Sequence, residues 1–323
     1  LVLADIFVVQ GTASSISGSG DAYTVAIAPT AAGSVFANVA ANVATDLASL
    51  ANVASSTLTF EYDNVAPGVT VTSTNAMPTR VAPVPIQVTF TEDVQFFGAE
   101  DITLPQGGTM AFISQVSLSA YTLEFTPGTE GEFVVIVPAA KAQDLATNAN
   151  TASTTLLITF DTTDPTVVLT SNVDPTNGYT NVYPVAVTAT FNQDVIGVAD
   201  ADFFTANGNP TGTAGSGTVY TVSLQPLAQG LVMINLPVAT ATDLALNPNV
   251  LSNTLVVYFD TISPTVAVTH SGLTNTPSGT PTTPVGGRTR TKSSPIPITV
   301  TFDHEVVDFL SSEIKITTGT VTA

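Results

Sequence analysis

A short segment that ends in proline recurs three times along this chain, and it constrains the fold more than any other feature. The copies lie at 62–67, 160–165 and 259–264 and read Tyr-Asp-Asn-Val-Ala-Pro, Phe-Asp-Thr-Thr-Asp-Pro and Phe-Asp-Thr-Ile-Ser-Pro. Their first Asp residues, Asp63, Asp161 and Asp260, are 98 and 99 residues apart. A repeat of about 100 residues has the size of a domain, so the sequence predicts a tandem array of similar domains joined at these segments.

Three further anchors recur in the same order inside the repeats: a Phe-x-x-x-Val pattern, a Tyr-Thr pair, and Asp-Leu-Ala followed by Asn. They divide the chain into a partial repeat over 1–62, complete repeats over 63–160 and 161–259, and a partial repeat over 260–323. The two partial repeats overlap and are not complementary halves. We therefore interpret the chain as a slice of a longer array, with strand exchange between subunits as the alternative.

Apolar and polar residues alternate within each repeat with the period of two that is typical of β-strands. Examples are 69–72, 86–90 and 121–125, whereas 133–137 and 155–160 are denser in apolar residues and are interpreted as central strands. About seven short strands in roughly 100 residues indicate an Ig-like sandwich. We predict an all-β fold of tandem Ig-like β-sandwiches of about 100 residues each, with essentially no helix.

Charge and composition argue against several classes of function. The chain has 6 basic and 25 acidic residues and a net charge of −19, which disfavours nucleic acid and anionic membranes as partners and favours a divalent cation. It has no Cys, which in an array of this size points to a prokaryotic protein that is extracellular or at the cell surface. No apolar run reaches the roughly 18 residues needed to span a membrane. Because the chain has only two His and no Gly-x-Ser-x-Gly motif, we predict that it is not an enzyme.

Acidic and amide side chains are predicted to converge at one end of each domain. In the Ig strand order, labelled A to G, the start of strand A, the B–C loop and the F–G loop lie at the same end. Six basic residues cannot neutralise such clusters, and Ca²⁺ takes six to eight oxygen ligands from carboxylates, amides and carbonyls. The candidate metal ligands are Asp63, Glu92, Asp93, Asp101, Asp144, Asn148, Asp161, Asp164, Asp194, Asp202, Asp243, Asn247, Asp260 and Glu305. The alternative is that they are solvated loop residues and formers of Asx turns.

A recurring frame carries a resemblance to a known family. It consists of a linker Asp-Thr-Thr-x-Pro, a Val-Thr-Phe-x-x-x-Val strand, an Asp-Ile-Thr start, a Tyr-Thr pair and a closing Asp-x-Ala-x-Asn-x-Asn. This frame resembles the bacterial Ig-like repeats of large cell-surface adhesins and related surface arrays. In such repeats, and in the similar cadherins, Ca²⁺ at domain junctions stiffens a rod, and the resemblance implies this role for Asp63, Asp161, Asp260, Asp144 and Asp243.

Two positions depart from this pattern. Leu50 stands where the complete repeats have Asn148 and Asn247. Gln193 replaces Glu92 in the second complete repeat, which predicts a weaker metal site there or one built from Asp194.

The function expected from these observations is a structural spacer, part of an extracellular array stiffened by calcium at its junctions. The partners would be the neighbouring repeats, with other copies of the chain in a surface assembly as a further possibility. The first alternative is a repeating subunit of a surface polymer such as an S-layer, a sheath or a filament, in which a low-complexity insertion at 271–294 makes contacts. The second is a carbohydrate- or ligand-binding module, which requires an exposed aromatic patch in one repeat.

Overall fold

The computed structural model of the protein describes residues 1–104, 106–270 and 294–317. These residues form β-strands and four short 3-10 turns, with no α-helix among them, and this confirms the predicted all-β fold. In the part of the chain described, no helix has the length and apolar character needed to cross a membrane. The insertion predicted at 271–294 lies outside the described residues except for Ser294.

The strands follow the repeats. Residues before the first linker form β1 Ile6–Val9, β2 Gly11–Ser19, β3 Ala22–Pro29, β4 Gly33–Val39 and β5 Leu58–Tyr62. The first complete repeat contains β6 Val69–Ser73, β7 Val84–Phe90, β8 Thr109–Ser117, β9 Ala120–Thr126, β10 Gly131–Val135 and β11 Leu156–Phe160. The second contains β12 Val167–Ser171, β13 Tyr179–Thr180, β14 Val185–Ile196, β15 Phe204–Ala206, β16 Gly208–Pro226, β17 Gly230–Asn235, β18 Thr242–Asp243 and β19 Leu255–Phe259. The last partial repeat contains β20 Val266–His270 and β21 Ile298–Phe302.

Each complete repeat consists of two sheets in the Ig strand order. In the first, one sheet has the order β6-β7-β9-β8, which corresponds to strands A, B, E and D. The other pairs β10 with β11 as strands F and G, and strand C is reduced to a bridge between Thr103 and Ile136. The second repeat pairs β12, β14 and β16 in one sheet and β13, β19, β17 and β15 in the other. This ABED and CFG arrangement is that of an Ig-like sandwich.

Alternating burial along the strands gives each complete repeat its own hydrophobic core. The inward face of β7 carries Val84, Ile86, Val88 and Phe90. On the opposite face, Gln87 and Thr89 are exposed. The two cores are separate clusters, and each contains residues from both of its sheets. Two separate cores of this kind define two domains, since each domain buries its own apolar surface.

A buried asparagine organises the F–G loop, which lies between the last two strands of a repeat. Asn249 accepts hydrogen bonds through Oδ1 from the backbone N–H groups of Thr240 and Ala241, at 2.9 and 2.8 Å. Its Nδ2 donates to the carbonyls of Pro237 and Val250, both at 2.8 Å. Asn52 and Asn150 form the same set of four bonds in their repeats. The last Asn of the closing motif therefore holds the loop that carries the acidic residues.

Replacing Asn249 with Ala should destabilise the second complete repeat. Four backbone groups lose their partner, and the net loss in the free energy of unfolding should be about 3 kcal/mol. Chemical denaturation of the full chain measures it, with Asn181→Ala, an exposed site in the same repeat, expected to change stability by less than about 0.5 kcal/mol. Equal unfolding transitions for the two variants would contradict this role of Asn249.

Candidate metal centre at the domain junctions

The first Asp of each linker forms the same turn. Its Oδ1 accepts a hydrogen bond from the backbone N–H two residues later: Val65 to Asp63 at 2.9 Å, Thr163 to Asp161 at 2.9 Å, and Ile262 to Asp260 at 2.8 Å. These are Asx turns, in which a short carboxylate side chain replaces part of a backbone turn. The turn gives every junction the same local backbone geometry.

The F–G loop of the following repeat is bonded to the linker by an asparagine. Asn148 Nδ2 donates to the carbonyl of Asp63 at 3.1 Å and to Asp144 Oδ2 at 2.8 Å. Asn247 makes the corresponding bonds to Asp161 and Asp243, at 3.0 and 2.9 Å. The linker backbone is thus fixed to the repeat that follows it.

The Asp of the F–G loop is buried in both complete repeats. Burial of Asp144 opposes its ionisation, but hydrogen bonds from Asn148, Ala146 and Thr147 outweigh that effect and lower its pKa. Asp144 Oδ1 accepts from the N–H groups of Ala146 and Asn148, both at 2.8 Å. Asp243 is buried at the equivalent position of the second complete repeat, so a buried aspartate lies beside both of these linkers.

At the first junction a third carboxylate joins the other two. Glu92, in the B–C loop, has a carboxylate oxygen within 4.8 Å of oxygens of Asp63 and Asp144. Desolvation and, after it, the charges of Asp63 and Asp144 raise the pKa of Glu92. Within the described residues no Lys, Arg or His side chain forms an ion pair with any of the three. Three converging carboxylates provide the hard oxygen ligands that Ca²⁺ or another divalent cation binds.

The second junction has an amide where the first has the carboxylate of Glu92. Gln193 Nε2 donates to Asp243 Oδ2 at 2.8 Å and to the carbonyl of Thr163 at 3.0 Å. The side chain therefore connects β14 to the F–G loop and to the linker. Asp194, the alternative ligand predicted for this junction, is exposed.

The structure places the remaining predicted ligands elsewhere in the junction regions. Asp101 and Asp202 cap 3-10 turns, because their Oδ2 atoms accept from the N–H groups of Gly98 and Ala199 at 2.9 and 2.7 Å. The other four, all exposed or half-buried and outside the three-carboxylate group, are Asp93, Asp164, Asp260 and Glu305. The described residues therefore hold one converged group, at the first junction.

Sequence reasoning missed the groups that bind the second and third linkers to the repeats before them. Glu130 accepts hydrogen bonds from the backbone N–H of Thr162 at 2.9 Å and from the hydroxyls of Thr162 and Thr163, and these bonds lower its pKa. At the third linker, Gln229 Oε1 accepts from the backbone N–H of Thr261 at 3.0 Å and Gln229 Nε2 donates to the Thr261 hydroxyl. The signal available in the sequence is position: each residue precedes a Gly that begins strand F.

The sandwich topology and the junction geometry define a tandem Ig-like protein. Residues 63–160 match the family described as bacterial Ig-like domain, which confirms the predicted resemblance for that segment. No curated protein matches the chain.

Two solved structures give the extent of the structural likeness. FdeC, an adhesin of Escherichia coli, is 14% identical, with 79% of this chain and 85% of that chain covered and a TM-score of 0.38. The N-terminal part of the bacterial S-layer protein SbsC is 15% identical, with 61% of this chain and 44% of that chain covered and a TM-score of 0.23.

Proposed function

We propose that the chain is a structural spacer, a segment of a tandem Ig-like array in which ordered linkers keep successive domains in line. The observation that carries this proposal is that the linker at Asp161 is hydrogen-bonded to both neighbours, to Glu130 of the preceding repeat and to Asn247 of the following one. A linker fixed from both sides cannot act as a flexible coil, whose ends would approach each other. The array would project from a bacterial cell surface and perform no catalysis.

We further propose that Ca²⁺ stiffens the first junction. Asp63 belongs to the linker, Glu92 to the B–C loop and Asp144 to the F–G loop, so one cation bound by all three would connect linker and domain. The ion would supply positive charge where three carboxylates repel one another. Carboxylate sites in extracellular modules bind Ca²⁺ with dissociation constants of about 10⁻⁴ to 10⁻³ M, which suits a Ca²⁺-rich medium.

Small-angle scattering of the full chain, in millimolar CaCl₂ and again in chelator, tests this proposal. We expect a larger maximum dimension in Ca²⁺, because the first junction is then held straight. The Asp63→Asn, Asp144→Asn variant should give the chelator result under both conditions. An identical maximum dimension with and without Ca²⁺ in the wild-type chain would refute the calcium part of the proposal and leave the hydrogen-bonded linkers as the stiffening element.

A second candidate function is carbohydrate binding, and an exposed aromatic patch in the second complete repeat favours it. Tyr179 and Tyr258 lie on paired strands with ring centroids 4.7 Å apart, and they are 57% and 41% exposed. They line a cleft of about 620 Å³ that also contains the polar groups of Asn177, Asp260 and Glu305. Aromatic faces bordered by hydrogen-bonding groups suit the apolar face and the hydroxyls of a sugar ring.

Tyr179→Ala with Tyr258→Ala should reduce sugar binding at least tenfold if this cleft is used. The measurement is binding of the full chain to an array of immobilised oligosaccharides, with Tyr23→Ala, an exposed tyrosine of another repeat, as the matched control. Absence of binding to every oligosaccharide, or equal binding by the double variant, would rule out this second function.

A further inference from the structure

The two junctions that flank the first complete repeat differ at a position that is equivalent in sequence. Glu92 and Gln193 each come two residues after the recurring Phe, Glu92 in the B–C loop and Gln193 within β14, and both lie beside the Asp of the F–G loop. One is an anion and the other a neutral group that donates hydrogen bonds. The same fold therefore presents two different electrostatic environments at successive junctions.

At the second junction the amide of Gln193 donates a hydrogen bond to the carboxylate that a cation would otherwise contact. Asp243 Oδ2 accepts from Gln193 Nε2 at 2.8 Å and from Asn247 Nδ2 at 2.9 Å, while Asp243 Oδ1 accepts from the N–H of Asn247 at 2.8 Å. Gln193 Nε2 also donates to the carbonyl of Thr163. These donors satisfy the buried carboxylate, and Gln193 directs an N–H donor at it where Glu92 directs a carboxylate at Asp144.

Protein groups also connect the preceding repeat to the second linker and to the repeat that follows it. Arg80 donates from its guanidinium to the carbonyl of Leu246, in the F–G loop of the following repeat, at 3.1 Å. Glu130 binds the linker itself through Thr162 and Thr163. At the first junction the residue equivalent to Glu130, the one before the Gly that begins strand F, is Ala32, which has no group for such bonds.

We infer that the residue at the position of Glu92 and Gln193 decides whether a junction depends on a cation. The inference rests on the proposed calcium site at the first junction. It implies that hydrogen bonds order the second junction without metal. The array then has joints of two kinds. Removal of Ca²⁺ loosens the first joint and leaves the second ordered.

Reciprocal exchange of the two side chains, in the full chain, tests this inference. The probe is CaCl₂, and the readout is the number of Ca²⁺ ions bound, by equilibrium dialysis. Glu92→Gln should bind one ion fewer than the wild type. Gln193→Glu should bind one ion more, because it completes a three-carboxylate group beside Asn247 Oδ1, a buried oxygen that has no hydrogen-bond partner among the described residues. Gln87→Glu, an exposed site on a sheet face, adds the same charge and should bind the wild-type number.

Thermal unfolding in chelator provides a second readout that does not require calcium binding by the wild type. Gln193→Glu should lower the melting temperature by a few degrees, since it replaces a donor to Asp243 with a like charge, and CaCl₂ should restore it. Glu92→Gln should raise the melting temperature in chelator, because it removes a like charge beside Asp63 and Asp144. If the wild type and Glu92→Gln bind equal numbers of ions, the calcium proposal fails. If Gln193→Glu neither gains an ion nor loses stability in chelator relative to Gln87→Glu, the role of Gln193 is refuted.

Discussion

The hydrogen bond from an F–G loop asparagine to the carbonyl of the linker Asp is the interaction on which the junctions depend. Asn148 bonds to Asp63 and Asn247 bonds to Asp161 with nearly the same geometry, at 3.1 and 3.0 Å. Each asparagine is held in turn by the buried Asp of its own loop. Because this chain of bonds joins linker, loop and domain, the direction in which one repeat leaves the next follows from a few polar atoms.

The two junctions differ in the groups that surround the buried aspartate of the F–G loop. A buried aspartate is stabilised by neighbouring N–H donors, as the lowered pKa of Asp144 shows. Glu92 is a further carboxylate at the first junction, and desolvation together with the charges of Asp63 and Asp144 raises its pKa. At the second junction an amide adds a donor instead of a charge. The exchange of Glu for Gln at this position therefore changes the charge of the junction.

The sequence was sufficient to predict the fold, because alternation with a period of two and the equal spacing of the linkers depend only on residue type and position. It also placed Asp63, Glu92 and Asp144 in loops at the same end of the sandwich, and the structure brings their oxygens together. What sequence could not give is the partner of each polar atom. Asp101 resembles a ligand in sequence, but its carboxylate caps a short turn.

Other features escaped prediction because they depend on contacts between distant segments. Glu130 acts on a linker 32 residues later, across the turn into strand F. The exposure of Tyr179 and Tyr258 depends on an edge pairing of two residues between β13 and β19. The sequence alone does not reveal which aromatic residues lie at such an edge.

The central claim is that successive junctions are ordered by different means, and spin-label distance measurements test it most directly. The chain has no Cys, so two introduced cysteines at exposed sites are labelled uniquely. We predict a narrow distance distribution between positions 87 and 221, across the second junction, in both Ca²⁺ and chelator. Between positions 17 and 87, across the first junction, it should be narrow in Ca²⁺ and broad in chelator. Equal responses of the two pairs to Ca²⁺, or broad distributions for both pairs in Ca²⁺, would contradict the claim.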